Sequence, residues 1–238
     1  MSHEMIFENL DLFTSSKINL EKLKQLVIRR AILGDTKIQT EGWREFRLGE
    51  IGTWGSGGTP AKTHPEYYDG DIPWLIIGDL NDGVILKSEK KITELGLQNS
   101  SSKLLDIGTV LIAMYGSIGK LGLTGIKCAT NQAIAFCNPD PDIVSSEYLM
   151  LLLKGIQPDL IGFGQGATQK NISQTILKRH QIKVPSLDSQ SRIVKAVEEI
   201  KAISNSLIQA RAANDKFRES VVNSLIFENS NENLQVAE

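Results

Sequence analysis

The sequence predicts a mixed α/β fold, with one sheet-containing domain in the middle, a long coiled-coil helix after it and a shorter helix before it. Three observations carry this. Glycine-rich turns alternate with short apolar runs through the middle of the chain. A heptad of apolar residues then persists without Pro or Gly almost to the C-terminus. Finally, 238 residues with 41% hydrophobic and 23% charged side chains have the composition of a globular chain with a sizeable core.

In order, Leu20, Leu23, Val27 and Ala31 recur at helical spacing between Asn19 as N-cap and Gly34 as left-handed stop, which predicts a helix over Leu20–Leu33. The apolar runs Trp74–Ile77, Val110–Met114 and Ala133–Phe136 have strand length, separated by the glycine clusters at 55–58, 116–122 and 162–166. Glu147–Lys154 is a short helix, and Ile172–Lys178 begins another. After Pro185, Ile193, Ile200, Leu207, Asn214 and Val221 share one heptad position, and Ala196, Ile203, Ala210, Phe217 and Ser224 share another. This predicts one helix over Ser189–Phe227, about 58 Å long at 1.5 Å per residue. Asn214 in the seam fixes register at a cost in stability, and the exposed stripe requires a partner helix. The segment Leu23–Leu33 also aligns without gaps on Phe217–Phe227, a weak internal echo. The divisions that follow are a helical arm at 1–39, a globular domain at 40–187, a coiled-coil helix at 188–228 and a disordered tail at 229–238.

The chain carries 26 Lys+Arg against 28 Asp+Glu, so it lacks the positive balance of a non-specific nucleic-acid binder. Any polyanion must be met locally. The best stretch for that is Leu160–Leu187, with Lys170, Lys178, Arg179, Lys183 and His180. Cys128 and Cys137 have no histidine beside them and are expected as buried thiols, with no metal site. No apolar run has the ~18–20 residues of a membrane helix, and Met1–Leu10 lacks a basic start followed by an apolar stretch, so the chain is expected to be cytoplasmic.

No catalytic constellation is legible. Gly116–Leu121 lacks the glycine spacing and the Lys-Ser/Thr end of a P-loop, and Gly162–Gly166 has no strand-helix unit with a downstream acid. Asn138-Pro139-Asp140-Pro141 lacks the stacking ring of an amino-methyltransferase motif and is expected as a turn. His3, His64 and His180 are isolated. A non-catalytic chain is therefore expected.

A series of motifs is more specific. It runs through Phe46–Ile51, Gly57-Gly58-Thr59-Pro60, Tyr67-Tyr68, Ile72–Leu75, Gly78–Leu80, Met114–Lys120, Ala129–Ala133, Gly166–Ser173, Ile182–Pro185 and Gln190–Val194. In this order the set resembles the specificity subunit of type I DNA restriction-modification systems, over about Leu23 to Phe227. The family usually has a second proline where Ser186 stands and an acid where Ser189 stands. Its members usually hold two target-recognition domains, whereas this chain has one domain and one long helix, and so resembles a half-size subunit.

The resemblance implies that the globular domain reads half of a split double-stranded DNA target and that the helix spaces two such domains and docks methyltransferase subunits. It also implies a restriction subunit as a further partner, and S-adenosylmethionine held by the methyltransferase subunit, with no cofactor on this chain. Two copies paired antiparallel would rebuild the full-size arrangement on a palindromic target, with at most about 17 base pairs between half-site centres for a 58 Å helix. Base readout needs paired donors and acceptors, and phosphate contact needs cations. On that ground Gln165, Thr168, Gln169, Lys170 and Asn171 are candidate DNA contacts, with Lys178 and Arg179 beside them and Lys62, His64, Tyr115, Ser117 and Lys120 in two other turns. The candidate partner-helix contacts are Ile193, Ile200, Ile203, Leu207, Asn214, Phe217 and Val221. The competing expectation is a coiled-coil adaptor that binds protein and has no DNA role.

Overall fold

The computed structural model describes residues 25–33, 42–164 and 171–235, and the side chains of all of these except 163–164 and 222–235. Val27–Val194 forms one compact unit, and Lys195–Glu238 belongs to a second. Of the N-terminal helix, residues 25–33 (α1) are described; the expected start at Leu20 lies outside the described residues.

The strands of the first unit are Arg44–Arg47 (β1), Gly52–Ser56 (β2), Tyr68–Leu75 (β3), Val84–Ile85 (β4), Lys91–Ile92 (β5), Val110–Ala113 (β6), Leu121–Thr124 (β7), Ala129–Thr130 (β8), Ile134–Pro139 (β9) and Gln181–Val184 (β10). Its further helices are Glu94–Gln98 (α2), Ser146–Gly164 (α3) and Gln174–Arg179 (α4), and Leu187–Gln235 (α5) leads out of it. A five-stranded sheet has the order β2-β9-β6-β7-β4, with β4 parallel to β7 and the other pairs antiparallel. A three-stranded sheet has the order β5-β3-β8, and β1 pairs antiparallel with β10.

The five-stranded sheet is a middle layer, which explains why its strands read as unbroken apolar runs. Val110 and Ile112 of β6 pack with Tyr148, Leu149, Leu152 and Ile156 of α3. The intervening Leu111 and Ala113 pack on the other face with Leu75, Leu80, Ile134 and Phe136. All four β6 side chains are buried. Burial of Ile32 of α1 in the first cluster, with Tyr148 Oη donating to the Ile32 carbonyl at 3.0 Å, attaches the N-terminal helix to α3.

Several boundaries differ from the sequence reading. The strand expected at Trp74–Ile77 starts at Tyr68 and ends at Leu75, because Ile77–Asp79 turns into a 3-10 helix. The helix expected at Glu147–Lys154 continues to Gly164 through Pro158. Pro158 removes only the bond to the Lys154 carbonyl, while Ile156 and Leu160 keep the apolar stripe in the core. Ser173 caps α4, its side chain accepting the Ile176 N–H at 3.2 Å.

The long helix spans 49 residues, starting before Ser189 and running past Phe227. At its start Ser186 is the N-cap: its Oγ accepts the Ser189 N–H at 3.4 Å and lies 3.1 Å from Ser189 Oγ. Asp188 stands in the first turn, favourable to the helix dipole. The serines at these two positions thus supply a cap where the family usually has proline and acid.

Candidate nucleic-acid interface

One end of the five-stranded sheet gathers four loops. Gly57 N–H donates to the Ile134 carbonyl at 3.2 Å and Gly58 N–H to the Thr130 carbonyl at 2.9 Å, which ties the loop after β2 to the loop before β9. Met114 N–H donates to the Ala133 carbonyl at 2.9 Å, joining the β6–β7 turn to the same loop. Ile172 N–H donates to the Met114 carbonyl at 3.0 Å, and Asn171 bridges to Tyr115, so the segment before α4 closes the rim. A side-chain hydrogen bond between Thr59 and Gln132 adds to the lacing.

The glycines permit this closeness. A Cβ on Gly57 would lie 2.0 Å from the Thr130 carbonyl oxygen, and one on Gly58 would lie 2.4 Å from the Ser102 nitrogen. The Gly58 carbonyl in turn accepts from Trp74 Nε1 at 3.0 Å and from Ser102 Oγ at 2.6 Å. Trp74 is therefore a buried brace beneath the rim. In the β6–β7 turn, Gly116 and Gly119 have φ of +62° and +76°, a region that disfavours side chains.

Of the candidate DNA contacts, Tyr115, Ser117 and Asn171 stand on this rim, Tyr115 and Ser117 exposed and Asn171 half-buried, with a half-buried Lys120 at the base of the same turn. Lys62 and His64 lie on a wholly exposed strap over 61–66 that follows the Gly-Gly-Thr-Pro turn. His64 stacks on Tyr67 with ring centroids 4.7 Å apart, and its Nδ1 lies 2.9 Å from Glu66 Oε1. The Glu66 carboxyl is held below its ordinary range by a backbone hydrogen bond first and by His64 second. Gln165, Thr168, Gln169 and Lys170 lie outside the described residues. Lys178 packs against Gly49, just before the start of β2, whereas the rim loop leaves the end of β2, so the last turn of α4, with Arg179, is not brought to the rim.

Gln132, Asn131 and Thr59 belong to the rim and were not singled out from the sequence, although two of the motifs contain them. Asn131 Oδ1 accepts the Ala133 N–H at 3.2 Å, shaping the turn, while Gln132 is exposed. The signal available was the polar pair Asn131-Gln132 directly before a buried strand.

The rim is braced from the side by Asp82. Burial raises its pKa, but the Lys154 ammonium at 2.9 Å, the Leu121 N–H at 3.0 Å and the charge of Lys120 outweigh that and hold the carboxyl below its ordinary range. Burial pushes the Cys128 and Cys137 thiols up to about 12, so neither is a nucleophile at neutral pH. Among the described residues no cluster of three or more His, Cys, Asp or Glu side chains can hold a metal ion, and no helix is long and apolar enough to cross a membrane. A cleft of about 440 Å³ opens elsewhere, lined by Phe46, Arg47, Glu50, Ile156, Asp159 and His180 among others.

Comparison with known proteins decides the family. The model of the type I restriction modification DNA specificity domain matches residues 40–214. The chain belongs to this specificity family. Among curated relatives of this specificity chain, the EcoR124I/EcoR124II specificity subunit of Escherichia coli is 28% identical over 84% of this chain and 52% of its own length. The MjaIX specificity subunit of Methanocaldococcus jannaschii is 30% identical over 63% of this chain and 36% of its own length. The chain thus spans about half the length, or less, of the curated relatives it matches.

Solved structures agree on the fold. A chain from a study of complex assembly and conformational transition of the type I R-M system superposes with a TM-score of 0.69 at 20% identity, covering 89% of this chain and 52% of that one. The HsdS subunit of Thermoanaerobacter tengcongensis gives 0.62 at 20% identity, covering 87% and 50%.

Proposed function

We propose that the chain is a DNA sequence-recognition subunit that reads one half of a bipartite target within a type I restriction-modification complex. Residues 40–187 are its target-recognition domain and 188–228 its spacer. The observation that carries this is the rim: four loops laced at one end of the sheet, with Thr59, Tyr115, Ser117, Gln132 and Asn171 supplying the donors and acceptors that base edges require. Support comes also from the family match over residues 40–214.

The chain has almost balanced charge, 26 basic against 28 acidic residues, so phosphate contacts are left largely to partners. In this reading methyltransferase subunits hold S-adenosylmethionine and perform the chemistry, and a restriction subunit joins them. The chain itself positions them and is not catalytic. A second copy supplies the other half of the reader in this reading, with the apolar heptad of the long helix as the surface that joins the two.

The test is a salt-controlled DNA titration with and without the methyltransferase subunit. The chain alone is expected to bind its target weakly, and the added subunit to restore sequence-specific binding and adenine or cytosine methylation. Equal affinity for target and scrambled DNA in the assembled complex overturns the reading. Methylome sequencing with and without the chain returns target, symmetry and spacer together.

A further inference from the structure

The β6–β7 turn carries Tyr115, Ser117 and Lys120, and two separate parts of the fold hold it. From the rim, Met114 and Tyr115 are tied to the Ala133 loop and to Asn171 and Ile172. A second set of contacts comes from α3. Leu153, Ile156 and Leu160 are buried and fix the rotation of that helix in the core. Lys154 and Gln157, three residues apart, then share the adjoining flank and reach the turn. Gln157 Nε2 donates to the Gly119 carbonyl at 3.0 Å. Lys154 Nζ meets Asp82 Oδ2 at 2.9 Å, and Asp82 Oδ1 accepts the Leu121 N–H at 3.0 Å, where the turn passes into β7. Between these points Ile118 packs into the same cluster as α3.

Gly119 is where α3 grips the turn. The residue is buried and left-handed, with φ of +76°, and its N–H is taken by the Ala113 carbonyl at 3.0 Å. Its carbonyl finds a donor in the Gln157 side chain. The approach is tight, since a Cβ on Gly119 would lie 2.7 Å from Gln157 Cγ. Gly116, the other left-handed residue of the turn, has nothing within 4 Å of its Cβ position. Contact with Gln157 is thus made two residues past Ser117, on the stem of the tip that carries the exposed side chains.

We infer that Gln157 is a positioning residue for DNA readout: through the Gly119 carbonyl it sets where Tyr115 and Ser117 stand against the base edges. This rests on the reading of the rim given above. The physical reason is the narrow range of the contact being served. A base-edge hydrogen bond works between about 2.7 and 3.2 Å, so a displacement of about 1 Å at the tip removes it. A lysine on its flexible stem follows a phosphate through such a shift. Loss of the Gln157 donor therefore falls on discrimination between target and other DNA more than on affinity for DNA as such.

The test is DNA titration by the complex of the full chain with its methyltransferase subunit. It is run at one salt concentration on scrambled duplex and on the target that methylome sequencing returns. Gln157→Met keeps the length of the side chain and loses the donor. It is expected to weaken target binding about three- to tenfold, the range of one net hydrogen bond, and to leave scrambled DNA within about twofold. Combined with Tyr115→Ala and Ser117→Ala, the same substitution should cost less than about twofold further, because nothing is left at the tip to position. Gly119→Ala, whose methyl pushes on Gln157, is expected to follow Gln157→Met, while Gly116→Ala, with the same left-handed backbone, stays closer to wild type. Equal losses on target and scrambled DNA, or an undiminished loss in the Tyr115→Ala, Ser117→Ala background, reduce Gln157 to a structural contact and overturn the inference. If the complex with Tyr115→Ala and Ser117→Ala still discriminates as wild type, the reading of the rim itself fails. Discrimination lost there and kept in Gln157→Met sinks this inference alone.

Discussion

Gln190, fully buried in the first turn of α5, accepts the backbone N–H of Ser145 on its side-chain oxygen at 2.9 Å. Its Nε2 donates to the Ile143 carbonyl at 2.8 Å and the Pro185 carbonyl at 2.9 Å. One amide thus joins the start of the long helix to the loop that leads into α3, and does so with every polar atom satisfied.

Replacing Gln190 with Ala leaves three backbone groups without that partner, one buried and two part-buried, and a buried group costs about 1–3 kcal/mol when unpaired. A loss of about 2–4 kcal/mol is expected in chemical denaturation. Gln190→Glu keeps the acceptor, loses both donors and buries a charge, so it should be at least as harmful. A midpoint unchanged by both substitutions contradicts the clamp.

At the rim, Gly57→Ala and Gly116→Ala separate packing from backbone strain. The added methyl of the first lies 2.0 Å from the Thr130 carbonyl oxygen, so the loop must move and specific DNA binding by the assembled complex should be lost. The second meets nothing within 4 Å and carries only the left-handed penalty of about 1–2 kcal/mol. Its binding should remain within a fewfold of wild type.

Tyr115→Ala, Ser117→Ala and Gln132→Ala remove exposed groups, so thermal midpoints should stay within about 2 °C. Each should weaken binding to target DNA about 5–30-fold, and binding to scrambled DNA little. Lys120→Gln should instead reduce the salt slope by about one if that ammonium meets a phosphate.

Among the described residues, His180 and Asp82 are partly buried groups that contribute to the acid side of the stability profile. Burial lowers the His180 pKa, with the Asp159 charge opposing it. A histidine with a depressed folded-state pKa gives stability that is full above its unfolded value of about 6.5 and is lost as pH falls toward the folded value. Asp82 acts further down, its contribution present above the ordinary carboxylate value of about 3.9 and lost as pH falls through its lower folded value. Urea titrations should therefore show a first decline just below pH 6.5, absent in His180→Gln. A second decline, below about pH 4, should be reduced in Lys154→Met.

Among the described residues, the apolar periods made α1, α3, α4 and α5 and three of the ten strands legible, while the short strands and α2 carried too few residues to show a period. The heptad from Ile193 onward named the long helix, and the runs at Val110 and Ala133 named the two central strands. Boundaries were less legible where side chains far along the chain decide them, as with α3, which passes Pro158 because Leu160 finds a place in the core. The rim was legible in part. Gly57-Gly58 and Tyr115–Ser117 announced turns, but Gln132 gained a role only through its contact with Thr59 across the rim.

By itself the sequence determined the main helices, the three most apolar strands and which edge of the last helix is apolar, because those depend on spacing along the chain. Only the tertiary structure decided which glycine turns share one end of a sheet and that Lys178 faces Gly49 instead of that end. These depend on contacts between residues distant in sequence, and periodicity carries no record of them.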